Sequence, residues 1–227
     1  ITPRRCYWGM SKEALLYNKI EDLKTQCFLC AHRCIISDGH FGICSVRKNI
    51  GGTLYALSYG RAIAANIDPI EKKPLYHFLP GSFSYSIATL GCNFRCGFCQ
   101  NWQLSQEKEA NFESIHYVGP SEIVASALKS GCLSISYTYT EPTIFFEYAQ
   151  DTAKLAKEKG LKNVFVTNGY MTKEAIYELK PYLDAANIDL KAFSDESYRR
   201  VCGGGLSPVL DSIKLMHELG IWIELTT

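Results

Sequence analysis

The chain has 227 residues, a formal net charge of +1, 47% hydrophobic residues and 21% charged residues. That composition supplies a buried core, and the near-neutral charge gives no electrostatic reason to expect nucleic acid or an anionic membrane as partner. Apolar runs such as Ile221 to Leu225 are far too short to span a bilayer. No charged-then-apolar leader is read at the start, so a cytoplasmic location is expected, although the chain opens on Ile1 and a trimmed leader stays open.

Taken in chain order, Ser11 to Lys24 reads as a helix leading into a first cysteine cluster, and the Gly-punctuated stretch from Gly51 to Gly60 suggests short strands. From Ser84 the pattern becomes strand then helix, repeated. Ser84–Leu90, Leu133–Thr138, Asn163–Thr167, Ala185–Leu190 and Trp222–Leu225 are read as strands. Between them Ser121–Ser130 is helical with Gly131 as its stop, and Thr143–Lys159 is helical with Ile144, Tyr148 and Leu155 on one stripe. Thr172–Lys180 is a helix closed by Pro181. Another helix is capped by Ser207, carries Pro208 at its first position and buries Val209, Ile213 and Met216. Such alternation predicts a parallel α/β architecture with its chemistry at the carboxyl ends of the strands. The division expected is a small Cys-rich N-terminal region, 1–75, and a core, 76–227. Because the chain stops at the end of a strand, at least one further strand–helix unit is expected beyond Thr227.

Ten cysteines are the compositional anomaly. Seven fall in two groups, Cys27/Cys30/Cys34/Cys44 and Cys92/Cys96/Cys99, while Cys6, Cys132 and Cys202 stand alone. Long periodic segments argue against a secreted disulfide scaffold, so the groups read as metal ligands. Gly91-Cys92-Asn93-Phe94-Arg95-Cys96-Gly97-Phe98-Cys99 places three thiolates on one loop directly after a strand. Three thiolates can bind three irons of a cubane and leave the fourth iron without a protein ligand. Structural zinc wants four closed ligands, and no fourth Cys or His lies nearby in sequence. The vacant iron suits a small chelating molecule such as S-adenosylmethionine (SAM).

The C-x3-C-x2-C spacing with Phe98 before its last cysteine resembles the radical SAM superfamily. Within it the chain resembles relatives of the pyruvate formate-lyase-activating enzyme, specifically the AmmeMemoRadiSam-system radical SAM enzymes. The closer likeness rests on Cys27-Phe28-Leu29-Cys30-Ala31-His32-Arg33-Cys34, Asp68-Pro69-Ile70-Glu71-Lys72-Lys73-Pro74-Leu75-Tyr76-His77-Phe78 and Cys99-Gln100-Asn101. It continues in Tyr137-Thr138-Tyr139-Thr140-Glu141-Pro142, Val166-Thr167-Asn168-Gly169-Tyr170 and Asn187-Ile188-Asp189-Leu190-Lys191-Ala192-Phe193. The resemblance implies a partial (β/α)6 barrel, C-terminally incomplete here, with a 4Fe-4S cluster on Cys92, Cys96 and Cys99. It also implies SAM contacts at Phe98, Thr140, Glu141, Thr167, Asn168, Asp189 and Lys191. Glu141 would receive the SAM ammonium, Lys191 its carboxylate and Asp189 a ribose or cation, with Phe98 bordering the adenine. Two departures stand out: Tyr139-Thr140 replaces the usual Gly-Gly before Glu-Pro, and Val166 stands where activating enzymes commonly carry Asp beside a monovalent cation.

Cys27, Cys30, Cys34 and Cys44 read as a second site, either tetrahedral zinc or a second Fe-S cluster, with free thiols as the bland alternative and His32 as a substitute ligand. Cys132 reads as core, and Gly203-Gly204-Gly205 as no phosphate loop. Expected partners are an electron donor such as flavodoxin or ferredoxin and, through the family, Memo-like and AMMECR-like proteins. The resemblance implies an enzyme that cleaves SAM reductively to a 5'-deoxyadenosyl radical and abstracts hydrogen from an unassigned substrate; the alternatives are a glycyl-radical enzyme activase and a non-catalytic zinc-binding interaction module.

Overall fold

The computed structural model describes residues 11–107 and 111–227, so Cys6 lies outside it. Its centre is a six-stranded sheet. Strands β7 (Ala64–Pro69), β8 (Phe83–Ala88), β9 (Ser134–Tyr137), β10 (Lys162–Thr167), β11 (Ala185–Asp189) and β12 (Trp222–Thr226) lie side by side in chain order. The last five are parallel, with Ser84 beside Ser134, Val164 beside Ala185, and Ala185 beside Trp222. Their carboxyl ends therefore open on one side. All four residues of β9 are buried, as are four of the five in β11, the signature of parallel strands covered on both faces.

The crossovers are the predicted helices. Helix α1 (Pro120–Lys129) ends against Gly131 at φ +67°, a left-handed conformation in which a Cβ would be strained. A 3-10 turn at Pro142–Phe145 leads into α2 (Phe146–Glu158). Helix α3 (Lys173–Leu179) is capped by the Thr172 hydroxyl, which accepts from the Ala175 amide. Helix α4 (Leu206–Glu218) begins two residues earlier than expected. Gly205, not Ser207, holds its N-cap, and the Asp195 carboxylate accepts the orphan Leu206 amide at 3.0 Å. Ser207 instead reaches Asp211.

Ahead of this core lie two small antiparallel sheets. One joins β1 (Lys12–Glu13), β6 (Thr53–Ala56) and β5 (Arg47–Ile50), and the other joins β2 (Tyr17–Lys19), β3 (Thr25–Cys27) and β4 (Ile35–Ile36). The helix expected over Ser11–Lys24 is thus replaced by two strands. Leu16, Asp22 and Leu23 take positive φ, and Lys12 and Tyr17 find partners at Ala56 and Cys27. Pairing with distant strands outweighs the modest helix propensity of the segment. Gly51-Gly52, both at positive φ, close the hairpin between β5 and β6.

A buried ion pair rivets this N-terminal part to the core. Arg47 and Glu147, 1% and 0% exposed at the side chain, bond to each other. The Arg47 guanidinium also donates to the Leu15 carbonyl at 3.1 Å, and the Glu147 carboxylate accepts the Leu15 amide at 2.7 Å. Among the described residues no helix is long and apolar enough to cross a membrane.

Candidate active site

Strand β8 delivers the chain to Gly91, whose φ is +93°. A Cβ there would come within 2.6 Å of Val46 and 2.7 Å of the Cys44 carbonyl, so only glycine lets the N-terminal sheets press against this turn. Cys92, Cys96 and Cys99 follow on one loop. The Arg95 and Gly97 amides donate to the Cys202 and Val201 carbonyls at 2.8 and 3.0 Å, pinning the middle of the loop to the π-helical turn Tyr198–Cys202. Gly204 completes the seat, because a Cβ on it would strike the Phe94 ring.

The three thiols line a cavity of about 720 Å³ at the carboxyl ends of the strands. Burial pushes the Cys92 thiol up, with nearby Glu141 adding to the effect, and burial raises Cys96 to about 12. Two of the sulfurs have a neighbour able to donate: the Phe94 amide lies 3.3 Å from Cys92 Sγ and the Ser105 hydroxyl 3.2 Å from Cys99 Sγ. Thiolates on one loop, open to a cavity and met by donors, fit a cubane cluster, whose sulfur ligands each take a separate iron.

The opposite wall comes from the other strand ends. Glu141, 3% exposed, accepts from the Thr143 amide and hydroxyl at 3.0 and 2.5 Å and from the Thr167 hydroxyl at 2.6 Å on one oxygen. Among the described residues its second oxygen takes the Asn168 amide alone, at 2.8 Å, which leaves that oxygen room for another donor. Burial pushes the Glu141 carboxyl up, against the pull of these donors. The Asn168 side chain reaches back to Asn93 Oδ1 at 2.7 Å, tying the end of β10 to the cysteine loop. Lys191 Nζ pairs with Asp189 at 2.8 Å and lies 5.9 Å from the Phe98 ring centre, so charged and aromatic groups meet at one rim. Burial opposes the Lys191 charge, but Asp189 beside it outweighs that and raises its pKa.

Of the residues expected at the cofactor site, Phe98, Thr140, Glu141, Asn168, Asp189 and Lys191 line the cavity. Thr167 does not; its hydroxyl is spent on Glu141. Sequence reasoning assigned no site role to Tyr139, Lys72 or Lys73, which also face the cavity. Tyr139 sits at φ +62°, a conformation that explains why a glycine suits this position, and it is held there at several points. Its hydroxyl bonds Asp68, its carbonyl accepts from Asn101 at 2.7 Å, and Lys73 Nζ lies 4.5 Å from its ring centre. Asp68 in turn takes Lys73 and Lys72 at 2.6 and 2.8 Å. Burial opposes ionisation of Asp68, yet these donors hold its carboxyl well below the usual carboxylate range.

The N-terminal cysteines surround the buried Arg47. Cys27 and Cys44 are buried, and the Arg47 guanidinium donates to Cys27 Sγ at 3.1 Å. The Cys27 amide bonds the Cys34 carbonyl at 2.9 Å, closing the loop that carries Cys30. Burial and the neighbouring Cys27, Cys34 and Cys44 raise the Cys30 thiol. The His32 ring Nε2 donates to the Asn93 carbonyl at 2.7 Å, which ties this loop to the Cys92 loop. Among the described residues no three His, Cys, Asp or Glu side chains close around a single point. Cys132 is buried, as a core cysteine should be.

Comparison with known proteins agrees with this geometry. The family model described as "Radical SAM superfamily" matches residues 86–227. An uncharacterized protein of Methanocaldococcus jannaschii is 48% identical over 217 residues, 95% of this chain and 63% of that protein. The pyruvate formate-lyase-activating enzyme of Clostridium pasteurianum is 26% identical over 146 residues, 59% of this chain and 57% of that one. The chain therefore spans less than two thirds of the length of either relative. Among solved structures, Streptococcus suis SuiB bound to its precursor peptide SuiA superposes with a TM-score of 0.47 at 21% identity, covering 60% of this chain and 30% of that one. The cysteine loop, the cavity it faces and the family match converge, and the chain belongs to the radical SAM superfamily of enzymes.

Proposed function

We propose that this protein binds a 4Fe-4S cluster on Cys92, Cys96 and Cys99 and cleaves SAM reductively in order to abstract hydrogen from a substrate that is unassigned. The carrying observation is that three loop thiols and six of the seven expected SAM-contact residues line one cavity. A cluster held by Cys92, Cys96 and Cys99 would supply the electron for reductive cleavage of SAM to methionine and a 5'-deoxyadenosyl radical. The chain's own residues hold the reactants. Glu141 offers its second oxygen to the ammonium, a cation that favours the charged carboxylate despite burial. Lys191 exchanges part of its contact with Asp189 for the SAM carboxylate, which frees Asp189 for the ribose. Phe98, 55% exposed at the rim, borders the adenine, and Thr140 and Asn168 hold the loop backbone in place.

The sheet is read as the first part of a (β/α)6 barrel. The Cys-rich region 1–75 precedes a core at 76–227, with β7 crossing that division by pairing with β8. Cys27, Cys30, Cys34 and Cys44 form a second site, for zinc or another cluster, that organises the N-terminal loops. The closer family reading is the AmmeMemoRadiSam system, with Memo-like and AMMECR-like partners, a flavodoxin or ferredoxin as electron donor, and a cytoplasmic setting. Likeness to activating enzymes keeps glycyl-radical activation as a second reading of the substrate. Anaerobic reconstitution with iron and sulfide, followed by reduction in the presence of SAM, should yield 5'-deoxyadenosine and methionine in equal amounts. A protein that takes up zinc alone and leaves SAM intact would instead be an interaction module.

A further inference from the structure

Two buried side chains beside the cysteine motif, Ser105 and Cys202, are given no part in holding SAM. Ser105 is 2% exposed, and its hydroxyl lies 3.2 Å from Cys99 Sγ while also receiving the Gln106 amide at 3.3 Å. Cys202 is 1% exposed, and its carbonyl and that of Val201 accept the Arg95 and Gly97 amides on either side of Cys96. In a protein without metal, either Ser105 or Cys99 can donate in their pair. A thiolate ligated to iron has no proton left to give, so Ser105 and Cys202 must then be the donors. Cys92 is served differently, by the Phe94 amide at 3.3 Å and Asn168 Nδ2 at 3.9 Å.

We infer that Ser105 and Cys202 are dedicated hydrogen-bond donors to the Cys99 and Cys96 thiolates, and that they set the reduction potential of the cluster. This rests on the cluster assignment proposed above. The sign follows from charge. Reduction adds an electron that spreads onto the thiolate sulfurs, and a donor stabilises the more negative state more strongly. Each donor therefore makes the cluster easier to reduce, and together they ease the delivery of an electron to SAM. Neither ligates iron; both act through the ligands.

The test is redox titration of the anaerobically reconstituted protein, following the reduced cluster by its electron paramagnetic resonance signal, for Ser105→Ala, Cys202→Ala and Cys202→Ser. At the midpoint potential of the unsubstituted protein, each alanine variant should show a reduced-to-oxidised ratio about tenfold lower, a negative shift of about 59 mV for a one-electron couple. Cys202→Ser keeps a donor and should stay close to the parent. The Ser105→Ala/Cys202→Ala pair should shift by about the sum, since the two donors serve different sulfurs. Unchanged potentials in both alanine variants, with full iron content, would overturn the inference and leave the cluster assignment standing. Loss of the cluster in Cys202→Ala but not in Cys202→Ser, with Ser105→Ala unshifted, would overturn it too, since Cys202 would then be only a packing element. No cluster signal in the unsubstituted protein would overturn both readings.

Discussion

Replacing Glu141 with Gln separates the two duties of this carboxylate. One oxygen serves three donors, the Thr143 amide and hydroxyl and the Thr167 hydroxyl, and the other serves the Asn168 amide. A glutamine carbonyl can replace the first oxygen. Its NH2 group would then face the Asn168 N–H, leaving one buried backbone donor without an acceptor, which costs about 1–3 kcal/mol. For a chain of this size the melting temperature of the iron-loaded protein should fall by roughly 2–12 °C. The negative charge that would meet the SAM ammonium is lost as well. A hydrogen bond to a charged group contributes about 1.5–3 kcal/mol, so SAM should bind roughly 10- to 150-fold more weakly. Iron content should not change, because Glu141 ligates nothing. Thermal melting and equilibrium binding of labelled SAM read the two effects separately. A lower melting temperature with unchanged SAM affinity would confine Glu141 to holding β9 and β10 together and would refute its role toward SAM.

Three further perturbations follow from the same geometry. Lys191→Ala should weaken SAM binding by a similar factor, about 1.5–3 kcal/mol, at unchanged iron content, since it removes the cation that Asp189 holds at the cavity rim; equilibrium binding checks it. Arg47→Ala should destabilise the protein by about 3–5 kcal/mol by stranding the buried Glu147, whereas Arg47→Met with Glu147→Leu should recover most of that loss; denaturant titration distinguishes them. Cys30→Ser should lower thermal stability and protease resistance more than SAM cleavage if the N-terminal cysteines hold a metal that organises their loops. Anomalous scattering at the iron and zinc edges would name the occupant.

Parallel strands such as Asn163–Thr167 were legible because a short apolar or β-branched run there is stopped by a nearby Gly, Gly169. The edge strand β7 was not, since Ala64–Pro69 carries Asn, Asp and Pro and exposes most of its residues; only pairing with β8 makes it a strand. Apolar residues between Ser11 and Lys24 imitate a helix, and pairing of Lys12 with Ala56 and of Tyr17 with Cys27 decides otherwise. In the site, spacing alone exposed Cys92, Cys96 and Cys99, because one loop supplies all three. Lys73, Tyr139, Ser105 and Cys202 reach the cavity or the sulfurs through tertiary packing, for which local sequence has no signal. Tyr139 is the instructive case. Its neighbours Asp68, Lys73 and Asn101 hold a large residue where the backbone favours glycine.

Mössbauer spectroscopy of the protein reconstituted with 57Fe, recorded with and without SAM, addresses the central assignment most directly. Three cysteine ligands leave one iron of the four open, so SAM should change the parameters of one iron while the other three keep theirs, and Cys96→Ala should abolish that signature. Four irons that remain equivalent and indifferent to SAM, or a signature that survives in Cys96→Ala, would contradict the assignment of Cys92, Cys96 and Cys99.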